Sequence, residues 1–262
     1  MPVAQRTSRP GRGRAGSVND REFELLDRIE ENHWWFVGKR KILNALLARD
    51  PGEGVLLDLG CGTGGVLRNW MSRRPCVGTD RSELALQICK KRGFETLVRS
   101  DLNQLPFPKG SFDTVLLLDV IEHLDDDIAF LENVADLVAP GGRIVVAVPA
   151  FQFLWSKHDE TFEHRRRYSA GQLEAVIRAA GLTPERRTYT NALLFPLAAL
   201  WRILSYRLGL GRFAPETDFW AVPAWLNGLL TRLYDLEAWL LLRFDLPVGV
   251  SLVCIARRDG PN

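Results

Sequence analysis

Between Val55 and Ala150 one pattern repeats: a short apolar run, a turn, then a segment with helical spacing. VLLDLG (55–60), CVGTD (76–80), FETLVRSD (94–101), FDTVLLLDV (112–120) and GRIVVAVPA (142–150) read as strands. GTGGVLRNWM, SELALQICKKRG and a segment around Ile128–Val138 read as the helices between them, the second stopped by Gly93. Strand alternating with helix at this interval predicts a parallel, doubly wound α/β sheet. Further on, Ser169 and Gln172 make an S-x-x-Q capping box for a helix ending before Gly181. Strands near Thr183–Thr190 and Val250–Arg257 then complete a seven-stranded sheet. With 46% apolar residues among 262, the chain can bury the core such a sheet needs.

The flanks divide the chain further. Residues 1–18 carry Arg6, Arg9, Arg12 and Arg14 with no acid, among Gly, Ser and Pro, and are expected to be a disordered basic tail. Asn19 or Asp20 is placed to cap a helix reaching about Glu31, and HWWFVGKR leads into a second helix with Ile42, Leu43, Leu46 and Leu47. These make an N-terminal helical lid (19–50) ahead of a core (51–190), an apolar helical insertion (191–247), and a last strand with its tail (248–262). The tail lacks the apolar stretch of a signal peptide. Cys61, Cys76, Cys89 and Cys254 show no CxxC pair or zinc-like spacing, so reduced thiols in a cytoplasmic protein are expected. A net charge of +2 and no extended basic face in the folded part speak against a nucleic-acid partner.

Asp58-Leu59-Gly60-Cys61-Gly62-Thr63-Gly64 stands where the first strand turns into a first helix. Glycines there let backbone approach a bound cofactor closely. The acids choose the cofactor: Asp58 precedes the glycines, Asp80 ends the second strand and Asp101 comes after the third. A pyrophosphate would be repelled by Asp58, whereas a ligand with an ammonium, a sulfonium and a free ribose diol suits all three.

These motifs resemble the class I S-adenosylmethionine-dependent methyltransferases, over roughly residues 30 to 190 and the final strand near 250–257. LLDLGCGTG is similar to that family's first motif, Asp80 to its ribose-binding acid, and Asp101-Leu102 to its adenine-binding pair. FDTVLLLDVIEHL resembles its fourth-strand motif, and LVAPGGRIVVAVP the helix, turn and strand beyond it. The resemblance implies S-adenosylmethionine as cofactor and a Rossmann-like fold. It sets Gly60 and Gly62 against the methionine part, Asp58 near the amino group, Asp80 on the ribose and Asp101 on the adenine amine. Cys61, Arg81, Leu102 and Asp119 complete the cofactor contacts it implies. HWWF resembles an N-terminal lid of some small-molecule O-methyltransferases, in which Trp35 would cover the cofactor and Arg40 hold its carboxylate; an aromatic plug between helices is the plainer reading.

Asp119-x-x-Glu122-His123 ends the fourth strand, at the edge where α/β sheets bind ligands. Acid, acid and imidazole there are one way to hold a divalent metal, similar to clusters in quinone-pathway and small-RNA O-methyltransferases; metal-free relatives also carry Glu-His, and no metal is assigned. HDETFEHRRRY (158–168) comes after the fifth strand and should cross the cofactor mouth. His158 is the preferred general base, with Asp159 orienting a ring and His164 as runner-up. Arg165, Arg166 and Arg167 either grip an acidic group of the substrate or pair with Asp159, Glu160 and Glu163 to fasten the loop.

ALLFPLAALWRILSYRLGL (192–210) and WLNGLLTRLYDLEAWLLLR (225–243) are apolar but broken by charge, so neither is a good spanning helix. They are expected to pack as a lid or dimer contact, or to lie in a membrane interface. HWWF early, HDETFEHRRRY midway and LPVGVSL late together resemble a bacterial subgroup often linked with glycan or lipid pathways. The expectation is methyl transfer, at oxygen, to a small-molecule or lipid- or glycan-linked acceptor. A cofactor-fold protein without chemistry and a nucleic-acid methyltransferase are the alternatives.

Overall fold

A computed structural model describes residues 18–48, 52–102, 104–208 and 222–260. Most of the expected basic tail lies outside them. Seven strands form one sheet: β1 (Leu56–Leu59), β2 (Cys76–Asp80), β3 (Leu97–Arg99), β4 (Phe112–Leu118), β5 (Val138–Pro149), β6 (Thr183–Thr190) and β7 (Ser251–Arg257). Their order is β3-β2-β1-β4-β5-β7-β6. The pairs among β1 to β5 are parallel, while β7 runs antiparallel to both its neighbours.

The five strands of the alternating pattern are parallel as expected, and the reversal of β7 has a topological reason. A parallel last strand would need its connection to return to the far end of the sheet. An antiparallel one lets the chain leave β6 and re-enter β7 at the same edge, where Thr190 pairs with Ser251. The segment between them therefore leaves and re-enters the sheet at the carboxyl edge of the parallel strands.

Eight α-helices are described: α1 (Val18–Ile29), α2 (Trp34–Leu47), α3 (Glu83–Lys91), α4 (Asp127–Leu137), α5 (Lys157–Thr161), α6 (Ala170–Ala179), α7 (Phe195–Arg207) and α8 (Ala224–Leu241). α1 already includes Asn19 and Asp20, so neither is the residue before it. α6 starts with the Ser169–Gln172 capping box. After β1 the expected helix is replaced by turns and a 3-10 helix at Leu67–Asn69. Three glycines in four residues cost too much backbone entropy for an α-helix to nucleate there.

Side chains alternate along the strands onto two buried layers. Leu57, Leu59, Val115 and Leu117 meet Leu131 and Val134 of α4 and Leu173 and Ile177 of α6. Leu56, Leu116 and Val145 face Ile42 and Leu46 of α2, Leu86 of α3 and Leu241 of α8. Leu116 is wholly buried, and truncating it to alanine would cost about 2–5 kcal/mol.

α2 and α8 pack directly on each other. A Cβ at Gly38 would lie 2.4 Å from the Tyr234 ring, so only glycine permits this approach. Asn227 adds a double tie: its Oδ1 accepts from Trp34 N (2.9 Å) and its Nδ2 donates to Asn32 O (2.9 Å). Buried Glu237 of α8 accepts hydrogen bonds from the backbone N–H groups of Asn191, Ala192 (2.8 Å) and Leu193 (3.2 Å), which fixes the start of the insertion.

Candidate active site

The cofactor side is built from backbone and acids. Gly60 and Gly62 have φ of +78° and +53°, a region glycine enters without a Cβ penalty. Gly60 N and Cys61 N both donate to Thr79 O at 2.9 Å, which ties the loop to β2. Asp80 is turned into this loop: Oδ2 accepts from Gly62 N (3.0 Å) and Oδ1 from Ser82 N (2.8 Å). Each oxygen has acceptor capacity left for a ribose hydroxyl. Burial raises the Asp80 pKa, and those two N–H groups work against the rise.

Asp58 is 3% exposed. Burial, then the charge of Asp80, push its pKa up to about 7, with Lys39 opposing. A cationic group placed beside it would reverse that. This acid and the open glycine loop fit a ligand that carries an ammonium and a diol. Asp101 and Leu102 come after β3 beside them, with Leu102 half-buried against the core. Arg81 is next to Asp80 in the chain, and its charge works to lower the Asp80 pKa.

α1 lies over this loop, since a Cβ at Gly62 would be 3.9 Å from the Phe23 ring and one at Gly65 would be 2.7 Å from the Glu30 carboxylate. Arg92 pairs with Glu30 and donates to Thr63 O (2.9 Å), joining α1, the loop and the end of α3. Arg40 has a different place from the one expected. Its guanidinium donates to Glu30 O (2.7 Å) and Glu31 O (3.0 Å), closing the end of α1 onto α2.

Trp35 and Asp119 both line a cavity of about 40 Å³ beneath α2 and α8, together with Lys39, Leu43, Leu118, Thr190, Asn191, Tyr234 and Ser251. That is room for a few waters. Lys39 was not singled out in the sequence, although it lies one helical turn after Trp35 and so on the same face. It forms an ion pair with Asp119. Burial works to raise the Asp119 pKa, but Lys39 outweighs it and holds the carboxylate below its usual range.

A separate wall, next to Asp119 but outside the residues that line this cavity, comes from the two histidine-bearing stretches. Asp159 is fully buried; its Oδ1 and Oδ2 receive Arg167 Nε (2.8 Å) and Nη2 (2.9 Å), and Oδ2 also receives Ser156 N (2.8 Å). Its Oδ1 lies 2.9 Å from His164 Nδ1. Burial works to raise the Asp159 pKa, but the bonds from His164 and Arg167 win and keep it well below the carboxylate range. A fixed carboxylate on Nδ1 leaves Nε2 of His164 as the free position of the ring.

The His164 ring meets His123 edge-on at 4.8 Å and lies 6.0 Å from His158, which instead packs on Phe162 at 4.3 Å. Asp159 thus orients the ring of His164, the runner-up to His158. Burial and the charge of His164 lower the His123 pKa, with Asp119 opposing. Glu122, His123 and His164 bring ligand atoms within 4.8 Å of one another. Glu122 is wholly buried, neither of its carboxyl oxygens has a hydrogen-bond partner among the described residues, and burial and Asp119 push its pKa well up.

The arginine run fastens this wall. Arg165 donates to His123 O (2.8 Å) and pairs with Asp125; Arg166 reaches Asp127 (3.1 Å), Leu124 O and Asp125 O (2.9 Å each). Of the acids expected to pair with the run, Asp159 does so; the others come from the turn after β4. Sequence proximity hid that turn. Asp119, Phe151 and Asn191 carry positive φ just past β4, β5 and β6, and Glu163 does so within the histidine loop. Strain of this kind concentrates at functional edges.

Residues 57–146 match the family described as "Methyltransferase domain". A demethylmenaquinone methyltransferase of Tropheryma whipplei is 31% identical over 161 residues, covering 60% of this chain and 59% of its own length. A tRNA (carboxymethyluridine(34)-5-O)-methyltransferase of Macaca fascicularis is 30% identical over 129 residues, 48% of this chain and 19% of its own. This chain thus spans about three fifths of the first relative's length and one fifth of the second's. The fold is shared with a methyltransferase of Haloferax volcanii solved with its Trm112 activator (TM-score 0.59, 20% identity, 94% and 99% of the two chains). Glycine loop, acids and strand order agree with these matches: residues 57–146 form a methyltransferase domain of the S-adenosylmethionine-dependent kind.

Proposed function

We propose that the chain transfers a methyl group from S-adenosylmethionine to a hydroxyl of a small or lipid-linked acceptor inside the cytoplasm. The cofactor supplies an electrophilic methyl on a sulfonium. Asp58, Asp80 and Asp101 would hold its amino group, ribose and adenine, and Lys39 links Asp58 to the cavity under α2 and α8. Trp35, Leu43, Leu118 and Tyr234 give that cavity an apolar lining, which suits a small apolar end of an acceptor.

The observation that carries the reading is the Asp159–His164 contact beside Asp119 and His123. Asp159 keeps the Nδ1 proton of His164, and Nε2 would take the acceptor's hydroxyl proton while its oxygen displaces S-adenosylhomocysteine from the methyl carbon. Arg167 holds Asp159 ionised, so the ring does not turn.

A second reading of the same wall is that a divalent cation sits on Glu122, His123 and His164. The unpartnered Glu122 carboxyl favours it, and a cation would lower a bound hydroxyl's pKa.

Methyl-labelled S-adenosylmethionine with the full chain and a whole-cell extract tests both, with Asp58→Ala as blank. Label in the organic phase, lost in His164→Ala and kept in His158→Ala, is the expected result. Loss of turnover on chelation, restored by added magnesium or zinc, would favour the cation. Label confined to RNA would replace the small-acceptor reading. Absence of labelled product together with intact S-adenosylhomocysteine binding would overturn the enzyme reading.

A further inference from the structure

α8 has two faces of different character. Leu230, Tyr234, Glu237 and Leu241 turn inward, half-buried to buried. On the opposite side Trp225, Leu229, Arg232, Leu236 and Trp239 repeat at helical spacing, and Arg243 continues the line just past the last turn. This outer stripe is exposed: Trp225 71%, Leu229 50%, Leu236 48% and Trp239 50%. α7 adds exposed Leu197, Leu200 and Leu204. Large apolar side chains at these exposures are costly in water unless something covers them.

The charges indicate what does. α8 has two acids and both are drawn away from the stripe, Asp235 to Lys41 and Glu237 to the backbone at Asn191–Leu193. Arg232 and Arg243 remain on it, the latter over the Trp239 ring at 4.6 Å. α7 contains no acid at all. A second copy of this stripe across a two-fold axis would bring arginine toward arginine with no acid on the stripe to answer it. An anionic headgroup layer supplies that counter-charge, accepts indole rings at its boundary and takes up leucines just beneath. Among the described residues no helix is long and apolar enough to cross a membrane, so contact stays at the surface.

We infer that the outer stripe of α8, with the exposed face of α7, docks the protein on an anionic lipid surface. The inner face of the same helix contributes Tyr234 to the cavity wall, so docking sets the candidate acceptor site against the bilayer. The placement of the acceptor rests on the methyl-transfer reading; the docking itself does not.

The test is co-flotation of the full chain with vesicles of phosphatidylcholine alone or with phosphatidylglycerol, at low and high salt. Binding to the anionic vesicles that weakens with salt is expected. Arg232→Gln with Arg243→Gln should lower the partition coefficient about thirtyfold, and Trp225→Ser with Trp239→Ser should abolish flotation. Binding of S-adenosylhomocysteine, measured on every variant, checks that each one folds and reports separately on the methyltransferase reading. No flotation of the parent chain, flotation indifferent to both pairs, or a dimer that the tryptophan pair dissociates without any vesicle effect would overturn the inference.

Discussion

The two halves of the carboxyl edge are made in different ways. On the β1–β3 side, the candidate site is backbone geometry plus three acids, one in or just after each strand, and the glycine loop is tied to the neighbouring β2. On the β4–β7 side it is gathered from residues 119–123, 156–168, 190–191 and α8, held by arginines and by Glu237. The first half needs little beyond local sequence to take shape. The second exists only when four distant segments are brought together, so it can vary among chains that share a cofactor.

Substitutions should separate the halves. The largest loss is expected for His164→Ala, about 10²- to 10⁴-fold in kcat with S-adenosylhomocysteine affinity intact; an equal loss in His158→Ala would move the base to that ring. Asp58→Asn should act the other way round, weakening S-adenosylhomocysteine about 30- to 1,000-fold by calorimetry, as loss of one partner of a buried charge pair does.

Gly38→Val comes next. Overpacking against Tyr234 should cost about 1–3 kcal/mol, seen as a lower thermal midpoint. An unchanged midpoint would show that α2 and α8 separate freely. Arg165→Ala, at a half-exposed pair, should change stability by about 1 kcal/mol or less.

Acidity offers a further contrast. The Asp58 pKa in the folded chain, about 7, lies above its unfolded value. The folded chain therefore keeps a proton that the unfolded chain has lost between about pH 4 and 7, and this group's contribution to stability declines as pH rises through that window. Ligand affinity takes the opposite course, because an ammonium needs the ionised acid. S-adenosylhomocysteine binding should strengthen by up to about tenfold per pH unit below 7 and level off above it. In Asp58→Asn both trends should vanish.

The same contrast explains what could be read from the chain alone. Strand spacing, the Gly60–Gly64 turn and Asp58, Asp80 and Asp101 carry their meaning within a few residues, and they were enough to give the family, fold class and cofactor. The partner of Asp159 could not be read that way. Both His158 and His164 are near it in sequence, and only the turn at Phe162–Glu163, with Glu163 at φ +57°, decides which ring meets the carboxylate. The Arg165–Asp125 and Arg166–Asp127 pairs span about forty residues, and no periodicity announces them. Nor did Lys39 declare itself, since its meaning depends on Asp119, 80 positions away. Apolar content marked 225–243 as a lid, dimer or interface segment but did not separate the face packed on α2 from the stripe left outside.

Thr190 and Ser251 sit side by side in the sheet, although some sixty residues lie between them. The segment that roofs the cavity thus departs and returns through one doorway, and the strands on either side are already joined without it. Such an arrangement makes the roof an exchangeable cassette: it can lengthen, shorten or be swapped between related chains while the strands keep their register. On the readings proposed above, acceptor choice and surface attachment would travel in that cassette together, while cofactor binding would stay with the frame.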